Sequence, residues 1–237
     1  MGKLLHAERY KLFHDKTFWI TLIVIIAFNM IVISGSAIFS MSGNQALSEM
    51  MRKEILTILI SCIYGGLFIG SDFADRTLYH ALMAGKSRVA VLLAKTSAFL
   101  IAIDVILFIF PLFLTITCTV RNGWGTALSR GAILQLAGLI AALLILGFAI
   151  GTFSLLAAVC FRDVGRTIGI PIILYFVMIL LLNGPHANML AHVFPAGILL
   201  LMVNGTVSPA YGILVGSLWS VSLFAISSLI FRNEELC

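Results

Sequence analysis

Residues 81–119 read ALMAGKSRVAVLLAKTSAFLIAIDVILFIFPLFLTITCT. The stretch opens on Gly85-Lys86-Ser87, the closing tripeptide of a phosphate-binding loop, and then turns almost wholly apolar from 89 to 119. Two folds compete for it. A complete loop, G-x-x-x-x-G-K-[ST], needs a glycine five residues before Gly85, where this chain has His80. It also needs a buried strand before it and a helix after it, so that backbone N–H groups converge on phosphate. The apolar run has instead the length to cross a bilayer core of about 30 Å.

Composition decides between them. The chain has 237 residues, 61% hydrophobic and only 11% charged, with a mean hydropathy of +1.11; a soluble domain carries roughly 25% charged residues. Apolar runs recur at about 17–40, 54–71, 89–119, 131–160, 167–182 and 209–231. The expected fold is therefore all-α: one polytopic membrane domain over 1–237, with six transmembrane helices. No segment between the runs has room for an α/β nucleotide-binding domain. Gly85-Lys86-Ser87 is not a nucleotide site.

Six spans put both termini on one side of the membrane. With them lie Lys3, Arg9, Lys11, Lys16, Arg76, Lys86, Arg88, Lys95, Arg162, Arg166 and Arg232, against Arg52, Lys53, Arg121 and Arg130 opposite. This asymmetry places the termini, the 72–88 loop and the 162–166 loop in the cytoplasm. The net charge of +5 is a topology signal. Without a basic patch on a folded aqueous surface, no nucleic-acid partner is expected. The first sixteen residues mix Glu8 and Asp15 with basic residues, so an uncleaved first span is expected. Cys62, Cys118, Cys160 and Cys237 form no C-x-x-C pair, and His186 and His192 lie six apart, off helical ligand spacing. No catalytic residue, metal site or bound cofactor is expected: H-E-x-x-H is absent and no histidine falls within a predicted span.

Three segments between the runs are informative. Residues 3–16 (KLLHAERYKLFHDK) read as an amphipathic helix lying in the membrane interface, with Leu5 and Leu12 seven apart, flanked by Leu4 and Phe13, and basic residues toward anionic headgroups. An ordinary basic flank is the alternative. In residues 70–95, Asp72 and Asp75 suit the positive end of a short helix over 72–83. Phe73, Leu78 and Leu82 form its apolar ridge beside Arg76 and Thr77, Gly85 stops it, and Arg88 anchors the turn at the interface. The outer stretch 183–208 is apolar but broken by Gly and Pro, and reads as one or two short re-entrant helices. Gly66/Gly70, Gly147/Gly151 and Gly212/Gly216 are G-x-x-x-G pairs that let helices approach closely, either within one bundle or at a dimer seam.

The entry Glu8-x-x-Lys11-Leu12 leading to Trp19, the loop Asp72-Phe73-Ala74-Asp75-Arg76-Thr77-Leu78 followed by Leu82, Gly85, Ser87-Arg88 and Lys95, and the apolar re-entrant region before the last span have a family likeness. The chain resembles the membrane subunit of bacterial type-2 ABC exporters, of the small six-span kind that exports peptides or antibiotics or confers self-immunity. Where many members have glycine before the threonine, this chain has Arg76. The resemblance implies that 72–83 is a coupling helix seated in a groove of a separate ATPase subunit, a small helix-in-groove anchor. Arg162, Asp163 and Arg166 would be a second cytoplasmic contact, or else a solvated charged turn. It further implies a second permease copy, the same or different, in the bacterial cell membrane, with ATP and Mg held by the ATPase and an amphipathic peptide or drug as substrate.

A non-transporting sensor or immunity protein that sequesters a peptide, and an ion-coupled carrier, are the alternatives. Carriers tend to hold several charges within the membrane, and Asp104 reads as the one ionisable residue well inside a span. It lies about 14 Å beyond Lys95 at ~1.5 Å per residue. Pro111 is expected to bend the same helix. Asp104 either faces a substrate pathway or is a neutral acid bonded to a neighbouring polar group such as Asn29.

Overall fold

The computed structural model describes residues 2–34, 37–52, 55–75, 77–125, 130–184 and 187–233. Lys53, Arg76, His186 and Cys237, and the side chains of Arg52 and Arg130, lie outside the described residues. The described chain is helical. Six helices are long and apolar enough to cross a membrane: Lys16–Ser34, Thr57–Ala74, Arg88–Asn122, Leu136–Phe161, Val164–Leu182 and Pro209–Asn233. They answer to the six apolar runs, with shifted ends.

Helix α1 (Gly2–His14) leads into α2 (Lys16–Ser34). The expected first run to residue 40 is divided, since α2 ends at Ser34 and a 3₁₀ turn follows at Ala37–Ser40. Helix α3 (Gly43–Arg52), which the apolar pattern does not announce, packs against the third span. The second span joins α4 (Ile55–Gly65), a π-helical turn (Gly66–Gly70) and α5 (Ser71–Ala74). After Asp75, α6 (Thr77–Met83) leads to α7 (Arg88–Asn122). This helix of 35 residues runs unbroken through Pro111 and extends about 50 Å, so its ends project beyond a bilayer core. Then come α8 (Arg130–Phe161) and α9 (Val164–Leu182), two short helices α10 (Ala187–Ala191) and α11 (Pro195–Val203), and α12 (Pro209–Asn233).

The three G-x-x-x-G pairs all face neighbours within the chain. Gly66 and Gly70 meet Ile168 and Thr167 of α9; Gly147 and Gly151 meet Leu107 and Ile103 of α7; Gly212 and Gly216 meet Met202 of α11 and Ile145 of α8. Aromatic rings gather where the first three spans meet: Tyr64 lies 6.0 Å from Phe18, tilted, and stacks on Phe68 at 5.4 Å and on Phe99 at 6.3 Å between centroids. Large apolar side chains on α2, α9 and α12, such as Ile31, Leu180 and Val221, point outward. That is the arrangement a lipid-facing surface requires.

Candidate functional site

The polar chemistry of the molecule gathers where α1, the end of the second span and the start of α7 meet. Helix α1 turns Leu12 into the core and brings Glu8, one turn earlier, to the same side. From α7, Lys95 enters the protein interior, seven residues past the helix start, with its side chain 0% exposed. Its ammonium is ion-paired with Asp72, lies 3.5 Å from Glu8 Oε2, and sits 3.6 Å from the centroid of the Phe68 ring. Lys11 Nζ donates to both Asp72 oxygens, at 2.6 and 2.9 Å. Two carboxylates and two ammoniums thus form a neutral group joining three elements. Burying any of these charges alone would be costly, and pairing is what makes the cluster tolerable. Desolvation pulls the Lys11 ammonium down, but the hydrogen bond and charge of Asp72, with the charge of Glu8, outweigh it and raise its pKa above the ordinary lysine value.

Several sequence expectations change here. Lys95 belongs to the buried cluster and not to the basic surface, and Asp72 and Lys95, near the ends of their spans, are buried ionisable residues besides Asp104. Lys11 pairs with Asp72, its side chain still 48% exposed. Asp72 does not open a new helix, because the second span continues through it to Ala74; its carboxylate is engaged by the two lysines. The helix expected over 72–83 is two pieces with a break at Asp75, bridged by the Thr77 hydroxyl donating to the Asp72 carbonyl at 3.2 Å. Arg76 lies outside the described residues.

The apolar ridge is also turned round. Phe73 and Leu78 are buried, and Phe73 meets Phe231 of α12 edge-on, 5.6 Å between centroids. Leu82 is half-buried, while Asp75, Thr77 and Met83 are exposed. Phe73 and Leu78 therefore fasten the segment to its own bundle and leave a different face outward.

The tripeptide that resembled a phosphate loop has two local tasks. Gly85, at φ +77°, ends α6 with the conformation that favours glycine, and the Ser87 hydroxyl caps α7 by accepting from Ala90 N at 3.3 Å. Arg88 is more than an interfacial anchor: its Nη1 donates to the carbonyls of Phe231 and Arg232, at 3.1 and 2.9 Å, at the end of α12. A cation there complements the helix dipole. Asp163 likewise serves its own helix, accepting from Arg166 N at 2.8 Å as the cap of α9. Arg162, at φ 51°, makes the turn into α9, and the Arg166 side chain is exposed.

Asp104 points from α7 toward Gly147 of α8, where a methyl group would come within 2.6 Å of its Oδ1. That oxygen is buried and has no hydrogen-bond partner among the described residues. Asn29, named above as one polar group that could bond it, donates instead to the Ile25 carbonyl at 3.1 Å and to Thr57 at 3.5 Å. Among the described residues no cluster of His, Cys, Asp or Glu is arranged to hold a metal.

No family model and no curated protein matches this chain, so what stands is a multi-pass, all-α membrane protein with a buried charge cluster joining its first helix to its second and third spans.

Proposed function

We propose that the chain is the membrane permease subunit of an ATP-driven ABC exporter of the bacterial cell membrane, with both termini cytoplasmic. It would move an amphipathic peptide, antibiotic or lipid-like substrate outward with a second permease copy and a separate ATPase. The observation that carries this reading is the position of α6. This short helix joins the second and third spans; its Leu78, and Phe73 just before it, are buried in the bundle. The charge cluster ties those same two spans to α1. A push on the outer face of α6 would thus reach three elements together.

The docking face in this reading is Asp75, Thr77 and Met83, with Leu82 at its edge; Met83 is 75% exposed. ATP and Mg belong to the partner, since His80 replaces the first glycine of a phosphate loop. Burying one side chain such as Met83 is worth roughly 1.5–3 kcal/mol, which is about tenfold or more in affinity. The test co-expresses the chain with its companion ATPase. Met83→Glu with Asp75→Lys should abolish co-purification and ATP-dependent export into inverted vesicles, while the thermal stability of the chain is unchanged. Normal assembly and export in that variant, or export by the chain without any ATPase, would sink the reading.

A further inference from the structure

Helix α3 has two working faces. Ala46 and Met50 are buried with Ile33, Ile38, Phe110 and Leu114, and fasten the helix to α2 and α7. Backbone bonds from Gly43 N to the Gly123 carbonyl, 3.0 Å, and from Asn44 N to the Trp124 carbonyl, 3.3 Å, secure its start. Asn44, Leu47, Ser48 and Met51 recur at i, i+3, i+4 and i+7, the spacing of one helical stripe. That stripe lines a cavity of about 700 Å³. Met202 and Val203 of α11, the 205–208 turn and the first part of α8 complete the wall.

The size lies within the roughly 300–1,000 Å³ of small-molecule pockets. Its floor is apolar, with Leu47, Met51 and Met202 buried. Its rim holds Asn44, Ser48, Ser208 and Trp124. Ser48 donates to the Asn44 carbonyl at 3.1 Å, which leaves its oxygen free to accept. Among the described residues the Asn44 amide, the Ser208 hydroxyl and the Trp124 indole N–H have no side-chain hydrogen bond. No charged side chain is among the described lining residues. Among the described lining residues nothing would compensate an ion for its lost water, whereas a neutral molecule with an apolar body and a few carbonyl or hydroxyl groups would satisfy both floor and rim.

We propose that this cavity is a binding site for an uncharged amphipathic small molecule. The site lies at the end of the bundle opposite the charge cluster, and it does not depend on the exporter reading, because binding is measured with no ATPase present.

The test uses the full chain in phosphatidylcholine nanodiscs with Nile red, a neutral amphipathic dye. A saturable component of its emission is expected above the linear background of lipid partitioning. Ser48→Phe, which fills the cavity, should weaken that component by about tenfold or more, equivalent to about 1.4 kcal/mol or more. In a separate variant, Ser48→Cys, alkylation of the introduced thiol by a maleimide is followed by peptide mass spectrometry. Dye at about ten times its dissociation constant should slow that alkylation about tenfold. Unchanged alkylation overturns the proposal even where Ser48→Phe fails to insert. Equal protection by the anionic dye 8-anilinonaphthalene-1-sulfonate overturns the assignment to an uncharged ligand.

Discussion

Replacing Asp72 with asparagine should cost about 3 kcal/mol of stability, and the reason lies in what it leaves behind. Lys95 is wholly buried and Asp72 nearly so, so the change strands an ammonium in the interior, and breaking such a pair from one side costs about 3–5 kcal/mol. Glu8 at 3.5 Å and the Phe68 ring at 3.6 Å remain beside Lys95, which favours the lower end of that range. Lys11 also loses its partner, but its side chain is 48% exposed, so screening by water holds that share below about 1 kcal/mol. Lys95→Met should cost less than Asp72→Asn, because Asp72 keeps Lys11. The double variant should return to within about 1 kcal/mol of the parent, because a buried pair replaced by neutral groups of similar size is often near neutral. Reversible unfolding in mixed micelles of the four proteins closes the cycle. Additivity within about 0.5 kcal/mol, with Asp72→Asn itself costing under about 1 kcal/mol, would refute the account of the cluster.

Four further outcomes follow from the geometry. Gly197→Ala should lower the melting temperature, since a methyl group would come within 2.5 Å of the Ala191 Cα and 2.7 Å of its carbonyl oxygen; overpacking of this kind costs about 1–3 kcal/mol. Gly169→Ala in α9 meets nothing within 4 Å and should stabilise by up to about 1 kcal/mol through helix propensity. Phe73→Ala should cost about 3–5 kcal/mol in the isolated chain, read by unfolding without any partner present. Lys11 has its pKa raised in the fold, so its contribution is complete below the unfolded value of about 10.4 and is lost only as pH rises through the higher folded value. Its acylation by an amine reagent should accelerate in Asp72→Asn, and an unchanged rate would remove the pairing.

The six spans were legible because apolar length is a composition signal that survives without any knowledge of neighbours. Gly85 was legible as a helix stop for a similar local reason. The charge cluster was not. Glu8, Lys11, Asp72 and Lys95 are distant in sequence, and Lys95 next to a span start has the pattern of any interfacial lysine. Only the docking of α1 on α7 turns it inward. The ridge of Phe73, Leu78 and Leu82 was visible as apolar spacing, but spacing gives no direction, and Phe231 on a helix more than 150 residues away in sequence decides which way Phe73 faces. Helix α3 was missed because its mean polarity matches a loop. Its signal was there in two interleaved pairs, Ala46/Met50 and Leu47/Met51.

The order of the cluster along the chain bears on how the protein is made. Glu8, Lys11 and Asp72 leave the ribosome before Lys95. A nascent chain that has inserted its first two spans therefore presents one uncompensated negative charge where Lys95 will arrive. The third span then brings its lysine to a site already matched to it, and the barrier to inserting that charge falls on a step when its counter-ion is waiting.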